Sequence, residues 1–394
     1  MIGYLKHLND PAFAPFINLL PKALEAGDDM AREAAFLEFC EIGLGHRKVE
    51  AWKYTDVTKA IEGEFTWSPA RQPVVHAPQG VVINPLDSTF FPNVGDDRPF
   101  AWLSRAFING GCKVTVPAGL SLSEPIELVV DTSEELAMVC PSFEIEIGEG
   151  SRADILLRFE NGGKSSFTSV IVRMHIASHA SVSLTKIRTG EGAHFCCMNT
   201  WQAEGSSLQL FDATAGGSLT RNDVHAVLKG QGAEIDLHGF YATGGEEHVD
   251  NHTTIEHAVP HTASRQLYKG IMDERGVGVF NGRIVVAPGA FGTDAVQMNR
   301  NLLRSPTAKI DTKPQLEIGN DDVRCKHGAT IGRLDKTALF YMESRGLERR
   351  AAEALLARGF LGEVIIQVRN EAIRSRLIEL SETYFDRHAV EETL

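Results

Sequence analysis

The chain has 394 residues and a net charge of −13, with 43% hydrophobic and 23% charged side chains, a globular composition long enough for two or three cooperative units. The acid excess excludes a nucleic-acid role, which needs a basic stripe, and no apolar run approaches the ~20 residues that span a bilayer, so no membrane role is expected. The opening Met1–Asp10 lacks the apolar core and cleavage site of a signal peptide, and Cys40, Cys112, Cys140, Cys196, Cys197 and Cys325 follow no framework spacing, which predicts a cytoplasmic protein with reduced thiols.

Residues 1–65 read as a helical domain. Asp29 is a candidate helix cap, and Phe36, Phe39 and Cys40 recur at spacings of three to four. Trp52-Lys53-Tyr54-Thr55 follows in a second helical or turn segment. From 66 to 106 the chain carries Pro69, Pro73, Pro78, Pro85, Pro92 and Pro99 and reads as a linker wrapping onto the next domain.

The stretch 107–332 is different material, rich in Gly, Val, Ile, Thr and Ser, and its repeating part reaches about 318. A unit recurs: an apolar strand, a corner of Gly, Ser, Ala or His, then an alternating strand. The anchors Ile155, Leu184, Leu210 and Leu237 are 29, 26 and 27 residues apart, with no helical period between them. A coil of short strands at about 27 residues per turn is a β-helix, in which each rung buries its inward side chains on its neighbours. A β-sandwich would need turn signals every 8–12 residues, whereas Asn109-Gly110, Asn161-Gly162 and Asn281-Gly282 lie far apart.

The tail, 333–394, has no proline and a helical apolar pattern: Leu339, Phe340 and Met342, then Ala351, Ala354 and Leu355, then Ile373, Leu377, Leu380 and Tyr384. Gly346 and Gly359 fall where helix C-caps belong. Such a bundle could cap the solenoid edge or offer a face to a partner. Phe340, Tyr341, Arg345, Gly346 and Leu347 are the candidate partner-binding residues, because aromatic side chains at helix junctions make good anchors. Deleting the tail is expected to leave the β-helix folded.

Little in the chain assembles chemistry. His248, His252, His257 and His261 have spacings of 4, 5 and 4, but Thr253-Thr254-Ile255 and Pro260 argue for strands and a corner that spread them around the coil. No Cys-x-x-Cys, GxxxxGK[ST] or Gly-x-Ser-x-Gly occurs. Cys196 and Cys197, adjacent in a strand, should face opposite ways, one buried and one exposed. The informative pair is Cys325 and His327. At i and i+2 of a strand they share a face and form a two-point ligand, although an isolated Cys-x-His is more often ordinary core and surface. Two donors cannot close a metal site that needs four, or three and water, so any metal there is shared with another surface. A non-catalytic scaffold or binding role fits better than a stand-alone enzyme.

Several stretches resemble the SufB/SufD family of iron–sulfur cluster assembly proteins: Gln297-Met298-Asn299-Arg300-Asn301, Lys313-Pro314-Gln315-Leu316, Asp321-Asp322-Val323-Arg324-Cys325-Lys326-His327-Gly328-Ala329-Thr330, and Leu339 through Gly346. His257, Pro260, Ser264 through Gly270 and Trp52 through Thr55 look like further signatures. The His-Gly-Ala-Thr wording and the short chain resemble the SufD-like branch; Lys326, where a small residue is usual, departs from it. The resemblance implies a right-handed parallel β-helix core between N-terminal and C-terminal helical domains. It implies a complex of this chain with a SufB-like chain and a SufC-like ABC ATPase docked on the helical tail, and the isolated chain could form a homodimer. It further implies that His327, with Cys325 beside it, contributes to a transient iron–sulfur cluster shared with the partner, and that reduced flavin can serve the complex. Two other readings remain open at this stage. A polysaccharide-active β-helix enzyme would need carboxylates on an open groove and usually secretion, and a structural adaptor would bind the ATPase without touching a cluster.

Overall fold

The computed structural model describes residues 12–69, 71–86 and 98–387; the expectations for Met1–Asp10 and for Pro92 lie outside these. The N-terminal part forms α1 (Ala14–Glu25), α2 (Asp29–Ile42), a 3-10 turn at Glu50–Trp52 and α3 (Thr58–Ile61). It continues through β1 (Thr66–Trp67), β2 (Val74–His76), β3 (Val82–Pro85) and α4 (Pro99–Ala106). The segment expected as a linker therefore contributes strands and a buried helix. β2 and β3 add antiparallel to the first rung of the coil, on Val129 to Glu127 and Thr115 to Cys112 respectively.

The coil begins with β4 (Gly110–Val116), β5 (Ile126–Asp131), β6 (Ala137–Val139), β7 (Pro141–Ile147), β8 (Arg152–Gly162), β9 (Phe167–Ile176), β10 (Ser181–Gly190) and β11 (Ala193–Gln202). It goes on through β12 (Ser207–Ala215), β13 (Thr220–Leu228), β14 (Glu234–Thr243), β15 (His248–His257), β16 (Ala263–Met272), β17 (Val277–Val286), β18 (Thr293–Leu303), β19 (Lys309–Ile318) and β20 (Val323–Gly332). From β7 on, successive strands alternate between two parallel sheets. Among the described residues sheet A ends on β19 and sheet B on β20. This is a parallel β-helix.

The repeat read from the sequence is the register of sheet B. Ile155, Leu184, Leu210 and Leu237 are in-register partners on β8, β10, β12 and β14. The same column continues through Gln266 and Gln297 to His327. Its apolar members fill the lumen together with Val172, Met174, Val224 and Ile255 of sheet A. Its last three members are polar. One corner also stacks: the backbone at His179, Gly205, Gly232, His261 and Gly292 has positive φ throughout. The His179 and His261 rings lie where a Cβ on Gly205 or Gly292 would sit, at 2.5 and 2.4 Å from Nδ1, so glycine is required at the rung after each histidine.

A helical layer covers each sheet. On sheet A, Phe16, Phe36, Phe39 and Phe107 pack with Phe167 and Phe195 from the strands and with Leu219 from the bend before β13, and the Phe100 ring stacks on Phe195 at 3.7 Å between centroids. This layer explains why Cys196 and Cys197 are both buried, contrary to the expectation of one exposed thiol: Phe195 and Cys197 face the helices, not solvent. At α2 the cap position falls on Asp28, which makes no side-chain cap bond, while Asp29 is the first helical residue.

The tail forms α5 (Lys336–Ser344), α6 (Arg349–Ile365) and α7 (Glu371–Arg387). Gly346 ends α5 in a Schellman motif: Leu347 N–H donates to Met342 O at 3.2 Å and Gly346 N–H to Glu343 O at 3.0 Å, with Gly346 at φ +89°. Gly359, expected as a second cap, lies inside α6. Leu361, Val364, Ile365 and Leu377 bury against Leu156, Phe211, Phe240 and Ile271 on the outer face of sheet B. The tail is thus part of the core structure, and removing it would expose that apolar face, so it is no separable appendage. It covers the side of the solenoid and leaves β19 and β20 mostly accessible.

Candidate functional site

Among the described residues β19 and β20 end the two sheets, so each presents one edge whose backbone N–H and C=O groups have no ladder partner there. Ile318 and Ile331 on these strands are 47% and 53% exposed. Cys325 and His327 lie on β20 and face the same way as their rung partners Ala295 and Gln297. Both partners are wholly buried, so the Cys325 and His327 side chains stand on the column that forms the lumen. They face its open end because, among the described residues, no further rung covers them.

The two side chains differ in surroundings. Cys325 is half-buried and packs against Ile284, Val286, Ala290 and Ala295. Burial, reinforced by the Asp294 carboxylate, pushes its thiol pKa up against the opposing backbone hydrogen bond at Ala295. His327 is exposed. Lys326, between them, points to the opposite face. Among the described residues no three His, Cys, Asp or Glu side chains gather into a metal site.

The four histidines of the 248–261 stretch separate, as strand geometry requires. His248 Nε2 lies 3.0 Å from Thr55 Oγ1, and His252 Nε2 lies 3.0 Å from Asp250 Oδ1. His257 turns inward, its ring nitrogens 2.7 Å from Thr262 Oγ1 and 2.9 Å from Ser264 Oγ. His261 occupies the corner. The His248–Asp250 region also holds the docking point of the Trp52–Thr55 segment. Thr55 Oγ1 donates to Asp250 Oδ2 at 2.6 Å, Arg221 Nη1 donates to Asp250 at 2.7 Å and to Ala51 O at 2.8 Å, and the Arg221 guanidinium lies 4.1 Å from the Trp52 ring centroid.

Of the candidate partner-binding residues, Phe340 and Tyr341 are 72% and 58% exposed, and Leu347 is 38% exposed. Arg345 lies over the Tyr341 ring at 5.2 Å, and Gly346 provides the sharp turn between them and Leu347. These residues share one end of the α5–α6 junction, and α6 is tied to the solenoid by Lys269 of β16. That lysine is buried, and its Nζ donates to Phe360 O at 2.7 Å and to Glu363 Oε2 at 2.5 Å. Lys269 falls in one of the signature stretches, but neither its partner nor the Arg221–Asp250 pair can be read from the sequence, since a lone charge in a strand does not announce which element covers it.

A parallel β-solenoid with helical layers on both sheets, with Cys325 and His327 on its terminal strand, describes the class. The chain belongs to the family described as SUF system FeS cluster assembly, SufBD core domain, whose model matches residues 129–360. It is 28% identical over 372 residues to the iron-sulfur cluster assembly protein SufD of Escherichia coli, covering 85% of this chain and 88% of that one. It is 30% identical over 291 residues to an iron-sulfur cluster assembly SufBD family protein of Synechocystis, covering 71% and 64%. With SufD of Bacillus subtilis it shares 26% over 294 residues, covering 73% and 67%. No helix among the described residues is long and apolar enough to cross a membrane.

Proposed function

We propose that this chain is the SufD-like, non-catalytic subunit of a cytoplasmic iron–sulfur cluster assembly complex. Its open solenoid end pairs with a SufB-like chain, and the α5–α6 junction docks a SufC-like ABC ATPase. The cluster is cargo, held transiently between the two solenoids, with His327 as this chain's main ligand and the remaining ligands supplied by the partner. The observation that carries this reading is the exposed imidazole of His327 at the uncovered end of the lumen column.

The chemistry favours His327 over Cys325. Cys325 is half-buried against Ile284, Val286, Ala290 and Ala295, and a thiol must lose its proton to bind iron. A neutral imidazole offers its lone pair without this step. Cys325 then acts mainly as apolar support for the rung beneath. Two unpaired strand edges, each about ten residues long, supply the means of joining a second solenoid by backbone hydrogen bonds. Phe340, Tyr341 and Leu347 supply exposed apolar area for the ATPase. Reduced flavin as an electron source belongs to the same proposal.

Co-expression with a SufB-like chain and a SufC-like ATPase tests it. The expected result is a complex containing all three chains that retains iron and sulfide, with flavin released on denaturation. A chain that captures neither partner, or that holds no iron in the complex, overturns the proposal. A complex that keeps full iron content after His327→Ala supports the adaptor reading in its place.

A further inference from the structure

β18 sends three amides into the lumen, and they are treated very differently. Asn299 Oδ1 accepts from Asn301 Nδ2 at 2.6 Å and from Thr312 Oγ1 at 2.9 Å, while its Nδ2 donates to Tyr241 Oη and Tyr268 O, both at 3.3 Å. Asn301 Oδ1 in turn accepts from Tyr241 Oη at 2.6 Å. Gln297 is as deeply buried, at 0% exposure, yet neither Oε1 nor Nε2 finds a hydrogen-bond partner among the described residues. Leaving a buried polar group unpaired costs about 1–3 kcal/mol, and an apolar side chain of similar size would avoid that cost.

The place of this amide matters. A Cβ on Gly282 of β17 would lie 1.6 Å from Gln297 Nε2. The Gln297 side chain therefore crosses the lumen to sheet A, through space that glycine leaves open. On the next and last rung, the register partner of Gln297 is His327 and that of Gly282 is Pro314. The Gln297 backbone thus lies one rung spacing, about 4.8 Å, below His327, while its amide reaches across to Gly282 and is buried beneath the last rung. Deeper in, Gln266 is half-satisfied: Nε2 donates to Thr253 Oγ1 at 2.6 Å, and Oε1 is unpartnered. The column that is isoleucine or leucine through four rungs becomes Gln, Gln and His at the end where a partner would meet it.

We propose that Gln297 is a cargo-contacting residue of the His327 site, its Nε2–H donating a hydrogen bond to a sulfur of the iron–sulfur species bound there. This rests on the ligand reading of His327. A sulfide or thiolate sulfur bound to iron carries negative charge and accepts N–H donors, and such bonds tune cluster stability and potential. The unpaired amide is the donor left in reserve for it, and Gly282 is the residue that makes room.

The test uses the three-chain complex carrying Gln297→Leu, Gln297→Met or His327→Ala. It reads the rate of cluster loss to a chelator, the subunit stoichiometry, and the thermal midpoint of each purified chain. Both Gln297 variants should keep or raise the midpoint, leave stoichiometry unchanged, and speed cluster loss roughly tenfold, the size of one lost hydrogen bond to a charged acceptor. Cluster loss at the wild-type rate from the Gln297 variants, with His327→Ala fast, overturns the role of Gln297 alone. Wild-type loss from His327→Ala as well overturns the ligand reading beneath it. Midpoints lowered by several degrees in both Gln297 variants would mean that the amide is satisfied in the folded chain, and would also overturn the proposal.

Discussion

Truncating Asp250 should loosen the attachment of the Trp52–Thr55 segment to sheet A. Its carboxylate is 1% exposed and is bonded to Arg221, Thr55 and His252 at 2.7, 2.6 and 3.0 Å. Asp250→Ala removes the carboxylate from Arg221 Nη1, which keeps Ala51 O, and from the Thr55 hydroxyl, which keeps His248 Nε2. Removing one partner of a buried ion pair costs about 3–5 kcal/mol. Asp223 still holds Arg221 through Nε at 3.0 Å and Nη2 at 2.9 Å, so the loss should fall near the lower end, about 3 kcal/mol. Asp250→Asn keeps the shape and should cost roughly half as much, the difference between a charged and a neutral acceptor. A double-mutant cycle with Thr55→Val in urea denaturation should return a coupling of about 1 kcal/mol or more. Burial alone would raise the Asp250 pKa, but the Arg221 charge, then His252 and the hydrogen bonds, outweigh it and hold the pKa below the ordinary carboxylate range. A depressed carboxylate pKa contributes stability that is complete above the unfolded value of about 4 and is lost as pH falls through the folded one. The gap between wild type and Asp250→Asn should therefore be flat from about pH 5 to 8 and close in stronger acid. A loss under about 1 kcal/mol for Asp250→Ala at neutral pH would refute this account of the attachment.

Three further outcomes are expected. Burial pushes the His257 imidazole down to about 4, so its contribution is complete above the unfolded value of about 6.5 and fades as pH falls toward 4. By about pH 5 it should account for roughly 2 kcal/mol of lost stability, which His257→Asn should remove from the pH profile of denaturation. The pair Phe340→Ala and Tyr341→Ala should change stability by less than about 0.5 kcal/mol, because both side chains are exposed, yet weaken ATPase capture at least tenfold in a pull-down titration; unchanged capture would move the docking surface elsewhere. Cys325→Ser should leave iron retention by the complex within about twofold of wild type, since its half-buried thiol packs against apolar side chains and is less accessible than the His327 imidazole. A loss as large as that of His327→Ala would make the thiolate a principal ligand.

Much of the fold could be read from spacing, because a solenoid repeats its inward residues at a fixed interval and Ile155, Leu184, Leu210 and Leu237 mark it. The placement of Cys325 and His327 on one face followed from strand geometry in the same way. Layer contacts could not be read. Nothing local tells that the Phe195 face of β11 meets phenylalanines donated by residues 13–107, or that Lys269 is neutralised by Glu363 nearly a hundred residues on. Gln297 shows the same limit inside the lumen. It was visible as part of a signature, but its unpaired amide depends on Gly282 across the coil, and parallel register over that separation leaves no local pattern. Gly359 misled for a related reason: glycine marks a helix end only where packing does not carry the helix onward, and Leu361 and Val364 bury α6 against sheet B.

The central claim is that His327 binds iron at the junction with a second solenoid. It is tested most directly by electron-nuclear double resonance on the reduced, cluster-loaded complex, with 15N-histidine incorporated only in this chain. A nitrogen bonded directly to the cluster should appear in the wild-type complex and vanish in His327→Ala. A loaded wild-type complex without that signal, or a signal that survives the substitution, would contradict it.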